Sequence, residues 1–488
     1  MPNRAVHRRT ITLPAHWRDL SWLGGTETGL NTGNDPCSMT RVLTENSDDE
    51  RGNEPLTPLY PFNKPGEAID LYSGPIGGLY DDALDGTIRL VFYPSPDLCW
   101  QLDVPNAEGY STMGRLGVEF ELTAGGMTGR STVSSASFGS VAGFSGSLEF
   151  ESDERMDRAL VHWMNLPAYA GNVVLRHVGD DGSKTWTSGR LALEVEGWGV
   201  TLDGRPDHRS LFKEDVGLAR YVLTHVMELR RADGASFDVD TGKQMIDALR
   251  LSFSFAAGRW VAPTLSVGFD AAGSEVWRWW VTPICEPYEK TGSPIISPIV
   301  VGDLEAFLRA SVAKLHDRNA VNTSRFQMTL ATQTASLGFV ENRIFSTFPA
   351  IENLSWETFV LGGLISRSEF EDSNLWPTAR RLRELLVRAK IPLDVDEKRL
   401  PALHKLATEK KLDGPAAVTW VRNRLIHPKT PHDQLYTRET LMVEVWQQSR
   451  EYICLLLLHA IGYTSSYLSP IPPHGYLGDV APVPWAAP

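Results

Sequence analysis

The sequence predicts an α+β chain of several domains, a β-sandwich-like N-terminal part followed by an all-α helical bundle. Three observations carry that expectation. A chain of 488 residues is longer than one hydrophobic core usually spans. Residues 61–300 alternate apolar and polar side chains between glycine-rich turns, the pattern of short, half-buried strands. From residue 301 the apolar spacing changes to that of helices.

Residues 1–60 read as an irregular arm, because Gly24-Gly25, Asn31 to Pro36 and the acidic stretch Glu45 to Glu54 leave little to bury. Trp17, Leu20, Trp22 and Leu23 form one small apolar cluster within it. In the β-rich sensor or regulatory part, 61–300, Leu116, Val118, Phe120 and Leu122 alternate with Gly117, Glu119, Glu121 and Thr123. Thr87 to Tyr93, Ser147 to Glu151 and Arg190 to Leu202 alternate similarly, and turns such as Asp180-Asp181-Gly182 and Asp233-Gly234 separate the runs. One helix near Thr241 to Ala256 precedes final strands at Trp260 to Phe269 and Glu275 to Val281. After Pro294 to Pro298, helical spacing runs through 301–465, with segments at Glu357 to Phe370, Thr378 to Ala389, Ala402 to Lys410, Ala416 to His427 and Arg438 to Ile461. The tail, 466–488, is proline-rich and should be extended.

A formal charge of −13 argues against a chain that coats nucleic acid or anionic membrane along its whole surface. The cysteines Cys37, Cys99, Cys285 and Cys454 are too scattered for a zinc knuckle or a disulfide scaffold. Met1 to Leu20 carries no apolar run of the secretory kind. The longest apolar stretch, Tyr452 to Ile461, is about half the length needed to cross a bilayer. The expected setting is therefore the cytoplasm, with no membrane partner.

The segment that carries chemistry is Arg422-Asn423-Arg424-Leu425-Ile426-His427. An arginine five residues before a histidine also occurs at Arg220/His225 and Arg399/His404. Only the third pair combines a helix with an amide directly after the arginine. Asn423 and His427 share a helix face at four-residue spacing. Arg422 stands about 140° away from His427 on an ideal helix. It reaches the same pocket only through a distorted last turn or a second subunit. Pro428 ends the helix near His427, where the dipole favours a cation. A histidine can relay protons to and from ribose and phosphate oxygens, and an arginine fork can neutralise a phosphorane. No metal is expected, since no carboxylate cluster with Mg²⁺ spacing stands nearby. Between Thr378 and Lys429, thirteen Lys and Arg face six Asp and Glu, a local balance of +7 in an acidic chain. Arg424, Lys429, Arg380, Arg381 and Arg383 are the candidate RNA-contacting cations.

With these residues in view, Val421 to Pro428 resembles the signature of HEPN-superfamily ribonucleases: arginine, polar residue, three variable positions, histidine. Phe339 to Leu354 is similar to the superfamily's early core helix, with Glu352 at its acidic, supporting position. The β-rich half, with Thr224-His225-Val226 before Arg230-Arg231 and Gly258-Arg259-Trp260 before Val267-Gly268, resembles domains that precede HEPN in ApeA-like anti-phage proteins. The resemblance implies a metal-independent endoribonuclease with no cofactor and an active site shared across a homodimer or higher homo-oligomer. It further implies restraint until a phage-derived trigger arrives, then cleavage of host or phage RNA, tRNA among the candidates, leaving 2′,3′-cyclic phosphate ends. Arg424 adds a cation to the variable stretch.

Two other readings compete. Arg422 and His427 could belong to a non-catalytic module that binds RNA or dimerises, beside a ligand-sensing β half. Alternatively, Trp277-Arg278-Trp279-Trp280 could be a sugar- or peptide-binding platform, although alternating aromatics in a strand more often form core. His225, among apolar neighbours, is expected to be buried with its hydrogen bonds satisfied, and packing is the expected role of His459.

Overall fold

Apolar residues at alternate positions make strands of residues 69–281, and short turns fold each strand back onto a neighbour. The computed structural model describes residues 53–104, 116–137, 139–178, 184–208, 210–211, 220–288, 293–335, 338–427, 434–472 and 477–486. The first 52 residues, and with them the arm's apolar cluster, lie outside the described residues, as do Pro428, Lys429 and His474 to Tyr476.

Strands β1 (Ile69–Gly77), β2 (Leu84–Val91), β3 (Asp97–Asp103), β4 (Glu119–Ala124), β5 (Met127–Ser137) and β6 (Ser140–Ser145) pair antiparallel in the order β4-β1-β2-β3-β6-β5. Because β4 also pairs with β5, the ribbon closes into a six-stranded barrel, which removes both edges. Ile88, Leu90, Leu98, Trp100, Leu122, Val133 and Val141 fill its core. Gly143 permits close packing there: a Cβ would lie 1.9 Å from the Thr132 carbonyl oxygen and 2.4 Å from the Trp100 ring.

A single link between β5 and β7 (Ser147–Glu151) joins the barrel to eight further strands. These are β7, β8 (Arg158–Met164), β9 (Val173–Val178), β10 (Lys184–Val195), β11 (Trp198–Gly204), β12 (Leu223–Arg231), β13 (Ala262–Phe269) and β14 (Glu275–Val281). Their order is β7-β14-β13-β8-β12-β11-β10-β9. The alternation read as one run over Arg190 to Leu202 is a hairpin. Glu196 and Gly197 both adopt positive φ, 50° and 71°, the geometry of a tight two-residue turn whose twist suits strands. The β part is thus one 14-stranded sheet that begins as a closed barrel. The expected β-sandwich, two sheets facing each other, is corrected. Trp277 and Trp280 are buried in it and Trp279 packs at its margin, so these aromatics are core.

Helix α1 (Val239–Ala257) opens with Asp238 accepting a hydrogen bond from the Thr241 N–H at 2.8 Å and closes at Gly258 in the left-handed region. Helices α2 (Asp303–His316), α3 (Val321–Gln333) and α4 (Val340–Ser355) follow, and α4 runs into a π-helical turn at Trp356–Leu361. Then come α5 (Arg367–Glu371), α6 (Thr378–Arg388), α7 (Pro401–Lys410), α8 (Gly414–Ile426) and α9 (Glu439–Ala460). The tail adds a short hairpin, β15 (Ser466–Tyr467) with β16 (Ala481–Pro482).

An independent all-α HEPN bundle is not what the helices form. One hydrophobic core extends from Met156 to Val483 and includes Trp163 and Trp198 of the strands with Phe253 of α1 and Phe307, Ile351, Val421 and Leu455 of the later helices. Separating the two would expose α1, which is buried along most of its length. Each large apolar side chain uncovered would forfeit about 1.5–3 kcal/mol. The run Tyr452 to Ile461 lies mainly inside α9, whose residues Ser449 to Leu458 are all buried. Among the described residues no helix is long and apolar enough to cross a membrane.

Candidate nucleic-acid site at the end of helix α8

Helix α8 begins with a close fit. Asp413 caps it, accepting from the Ala416 N–H at 2.9 Å, and Pro415 occupies its first turn. A Cβ on Gly414 would sit 2.2 Å from the Tyr452 hydroxyl and 2.7 Å from the Leu393 carbonyl oxygen. Burial works to raise the Asp413 carboxyl. Hydrogen bonds from Arg383 and Ala416, with the guanidinium charge, outweigh it and hold the group below the usual carboxylate range. Ala417, Val418, Val421 and Leu425 bury the inner face, at the spacing of a half-buried helix.

The outer face carries the motif. Arg422 is half-buried, its guanidinium carbon 5.2 Å from the centre of the Phe348 ring on α4. Its Nη1 donates to Asn423 Oδ1 at 2.9 Å, and its Nε is buried without a hydrogen-bond partner. Asn423 and His427 are exposed. His427 leaves helical geometry at φ −128° and ψ 76° while its N–H still donates to the Asn423 carbonyl at 2.8 Å. The structure therefore joins Arg422 to Asn423 by side chains and Asn423 to His427 by backbone. Among the described residues no hydrogen bond joins the side chains of Arg422 and His427, in keeping with their angular separation.

The other candidates fall into different settings. Arg424 lies over the Trp420 ring at 5.0 Å, and Lys410 Nζ is 5.7 Å from the same ring. Arg380 is exposed, donates to the Leu375 carbonyl at 2.7 Å and lies 4.5 Å from the Trp376 ring centre. Arg381 pairs with Glu352, donates to the Phe370 carbonyl at 2.6 Å and stacks on Phe370 at 3.9 Å. Arg383 binds Asp413 through two contacts, at 2.5 and 3.0 Å. Glu352 also accepts from the Thr378 hydroxyl at 2.7 Å, so it ties α4 to α6. Lys429 lies outside the described residues. Among the described residues no cluster of three metal-ligating side chains occurs.

Two features escaped the sequence reading. Trp420 anchors Lys410 and Arg424, and its four-residue spacing to Arg424 was the available signal. A cavity of about 600 Å³ lies between α7 and the start of α9, lined in part by Lys405, Glu409, Arg438 and Thr440. In the β part, His225 is buried as expected, but its Nδ1 has no hydrogen-bond partner. Burial, then the neighbouring His208 at 5.5 Å between ring centres, holds its ring well below the usual histidine range. His459 meets Trp485 edge-on at 5.1 Å, a packing contact.

The chain is similar to two domain families and to a prophage-derived protein. Residues 151–291 match the family model of the YopA central domain, and residues 330–479, which contain α8, match that of the YopA C-terminal domain. A relative is the SPbeta prophage-derived uncharacterized protein YopA of Bacillus subtilis (strain 168), 28% identical over 316 residues. That match covers 61% of this chain and 66% of the relative, just under two thirds of its length. No solved structure matches.

Proposed function

We propose that this protein is a metal-independent endoribonuclease that cuts RNA at the exposed end of α8. The observation that carries the reading is the setting of the motif: Asn423 and His427 face solvent, and Arg422 is aligned by Asn423 instead of being neutralised by a carboxylate. His427 takes the proton from a ribose 2′-OH, whose oxygen attacks the adjacent phosphorus. The P–O5′ bond breaks as the leaving oxygen is protonated, and a 2′,3′-cyclic phosphate remains. Arg422 stabilises the phosphorane charge and Asn423 holds a phosphate oxygen. Since one chain does not bring Arg422 and His427 together, a homodimer supplies the second histidine and completes the acid–base pair. Arg424 and the exposed Arg380 contribute to RNA contact. The prophage origin of the relative favours a role in conflict between phage and bacterial host, inside the cytoplasm, with the β-rich half sensing a phage-derived trigger.

Purified protein incubated with total RNA in EDTA is expected to cut it and leave cyclic phosphate ends. Cleavage that persists in His427→Ala at the wild-type rate overturns the proposal.

A second reading is favoured by the cation–tryptophan–cation arrangement of Lys410, Trp420 and Arg424: a surface that binds RNA without cutting it. In that case Arg422→Ala and His427→Ala leave RNA retention and any effect on phage growth unchanged, whereas Trp420→Ala releases the RNA.

A further inference from the structure

Away from α8, three guanidinium groups gather where the helices meet the β part. Arg450, on α9, is 2% exposed. Its Nη2 donates to the Ser293 carbonyl at 2.8 Å, while its Nε is buried with no hydrogen-bond partner. Trp446 lies one turn earlier on the same face of α9, and Arg343 of α4 lies over its ring at 4.7 Å. The Arg343 Nε is likewise buried without a partner. Arg259, after α1, is 7% exposed and donates to the carbonyls of Asn165 at 2.7 Å and Pro287 at 3.2 Å. The C-terminus of α1 holds Arg450 in place, because a Cβ on Gly258 would fall 2.7 Å from Arg450 Nη2.

The charges here do not balance as buried charges usually do. Burial lowers the affinity of all three arginines for their protons, and Arg343 adds like-charge repulsion on Arg450. The carboxylates acting on them also hold other donors. Glu286 accepts from the Trp260 N–H at 2.8 Å, and Glu451 accepts from the Tyr467 hydroxyl at 2.7 Å and from Ser469 at 3.1 Å. The hydrogen bonds of Arg259 and Arg450 go to carbonyls, which carry no full charge. An anion between Arg343 and Arg450 would relieve the repulsion and occupy donors left without acceptors.

We propose that Arg343 and Arg450, with Trp446 packed beside Arg343, form a binding site for a phosphate anion, free or as the terminal group of a nucleotide. Arg343 is half-buried and forms the mouth, and Arg450 forms the floor. The ligand would touch α4 and α9 directly and sense the β part through the Gly258–Trp260 and Glu286–Tyr288 segments. This site is separate from the α8 motif, so the two stand or fall independently.

Thermal unfolding of the full chain, with inorganic pyrophosphate against sodium chloride at matched ionic strength, tests it. Wild type is expected to melt higher in pyrophosphate, with a shift that saturates. Arg343→Gln should weaken the apparent affinity about tenfold or more, and Arg343→Lys should restore part of it. Arg450→Met should lose the response while remaining folded by circular dichroism; should it fail to fold, the Arg343 pair decides. Arg89→Gln, on the exposed surface of β2, should respond as wild type. A nucleoside triphosphate that binds more tightly than pyrophosphate identifies a nucleotide ligand; equal binding identifies the phosphate alone. No wild-type shift, or an equal shift in Arg343→Gln, overturns the proposal.

Discussion

The arginines of α6 and those of α8 look alike as a string of charges and differ in what they face. On α6, Arg381 and Arg383 are joined to Glu352 and Asp413, carboxylates about thirty positions away in the chain. On α8, Arg422 lies over the ring of Phe348. An ion pair consumes the charge of both partners, whereas a guanidinium over an aromatic face keeps its charge available to a phosphate. A local balance of +7 therefore overstates the cationic surface, because part of it fastens α4, α6 and α8 together.

The largest effect expected from this contrast is on chemistry. His427→Ala should lower RNA cleavage by roughly 10²–10⁴-fold, the usual contribution of a general acid or base. Unfolding stability should change by no more than about 0.5 kcal/mol, because the side chain is exposed. Single-turnover cleavage assays and urea titrations on the same preparation measure both. A large stability loss would place His427 among the structural residues.

The α6 side of the comparison predicts the reverse. Glu352→Ala leaves Arg381, whose side chain is 14% exposed, without its carboxylate and removes the acceptor of Thr378. A loss of about 1–3 kcal/mol is expected, measured by urea unfolding. RNA affinity should stay the same or rise, since a cation is released. A fall in affinity with unchanged stability would show that Glu352 serves the site and not the fold.

How much of this was legible depends on distance along the chain. The end of α8 was legible because its signal, Pro428, is local, whereas the start was set at Ala416 and the Asp413 cap with Pro415 puts it two residues earlier, at Gly414. The Glu196–Gly197 hairpin turn was missed because alternation continues through it once two positive-φ residues reverse the strand. Barrel closure was not legible at all. It rests on Ile76 meeting Ala124 and on Thr123 meeting Thr128, and alternation says which face a residue takes but not which strand it joins. The same limit hid the partners of Arg381 and Arg383 and the convergence of Arg259, Arg343 and Arg450. Each of those side chains comes from a different element, and sequence spacing carries no trace of the meeting.

A smaller effect sharpens the contrast at Asp413, which serves as both cap and ion-pair partner. Asp413→Ala should cost about 1–2 kcal/mol, the range for losing a helix cap. The sign of the pH dependence follows from its lowered carboxyl. A group whose folded value lies below its unfolded value, about 3.9, stabilises fully above that value. It loses the contribution as pH falls through the folded value. Wild type and Asp413→Ala should therefore differ at neutral pH and converge in acid below about pH 4. A difference that persists unchanged at pH 2 would assign the loss to packing around Gly414 instead.

The smallest effect belongs to Arg380, the α6 arginine whose described contacts are a carbonyl and an aromatic ring. Because its contacts among the described residues include no carboxylate, it belongs with Arg422 despite its position on α6. Arg380→Gln should alter stability by no more than about 0.5 kcal/mol. It should also reduce the salt dependence of RNA binding by about one charge, with the slope of log affinity against log salt falling by roughly 0.7 for a single strand. Anisotropy titrations of a labelled oligonucleotide at several salt concentrations give that slope. An unchanged slope would exclude α6 from the RNA surface and leave the end of α8, with Lys410 and Trp420 beside it, as the region that meets nucleic acid.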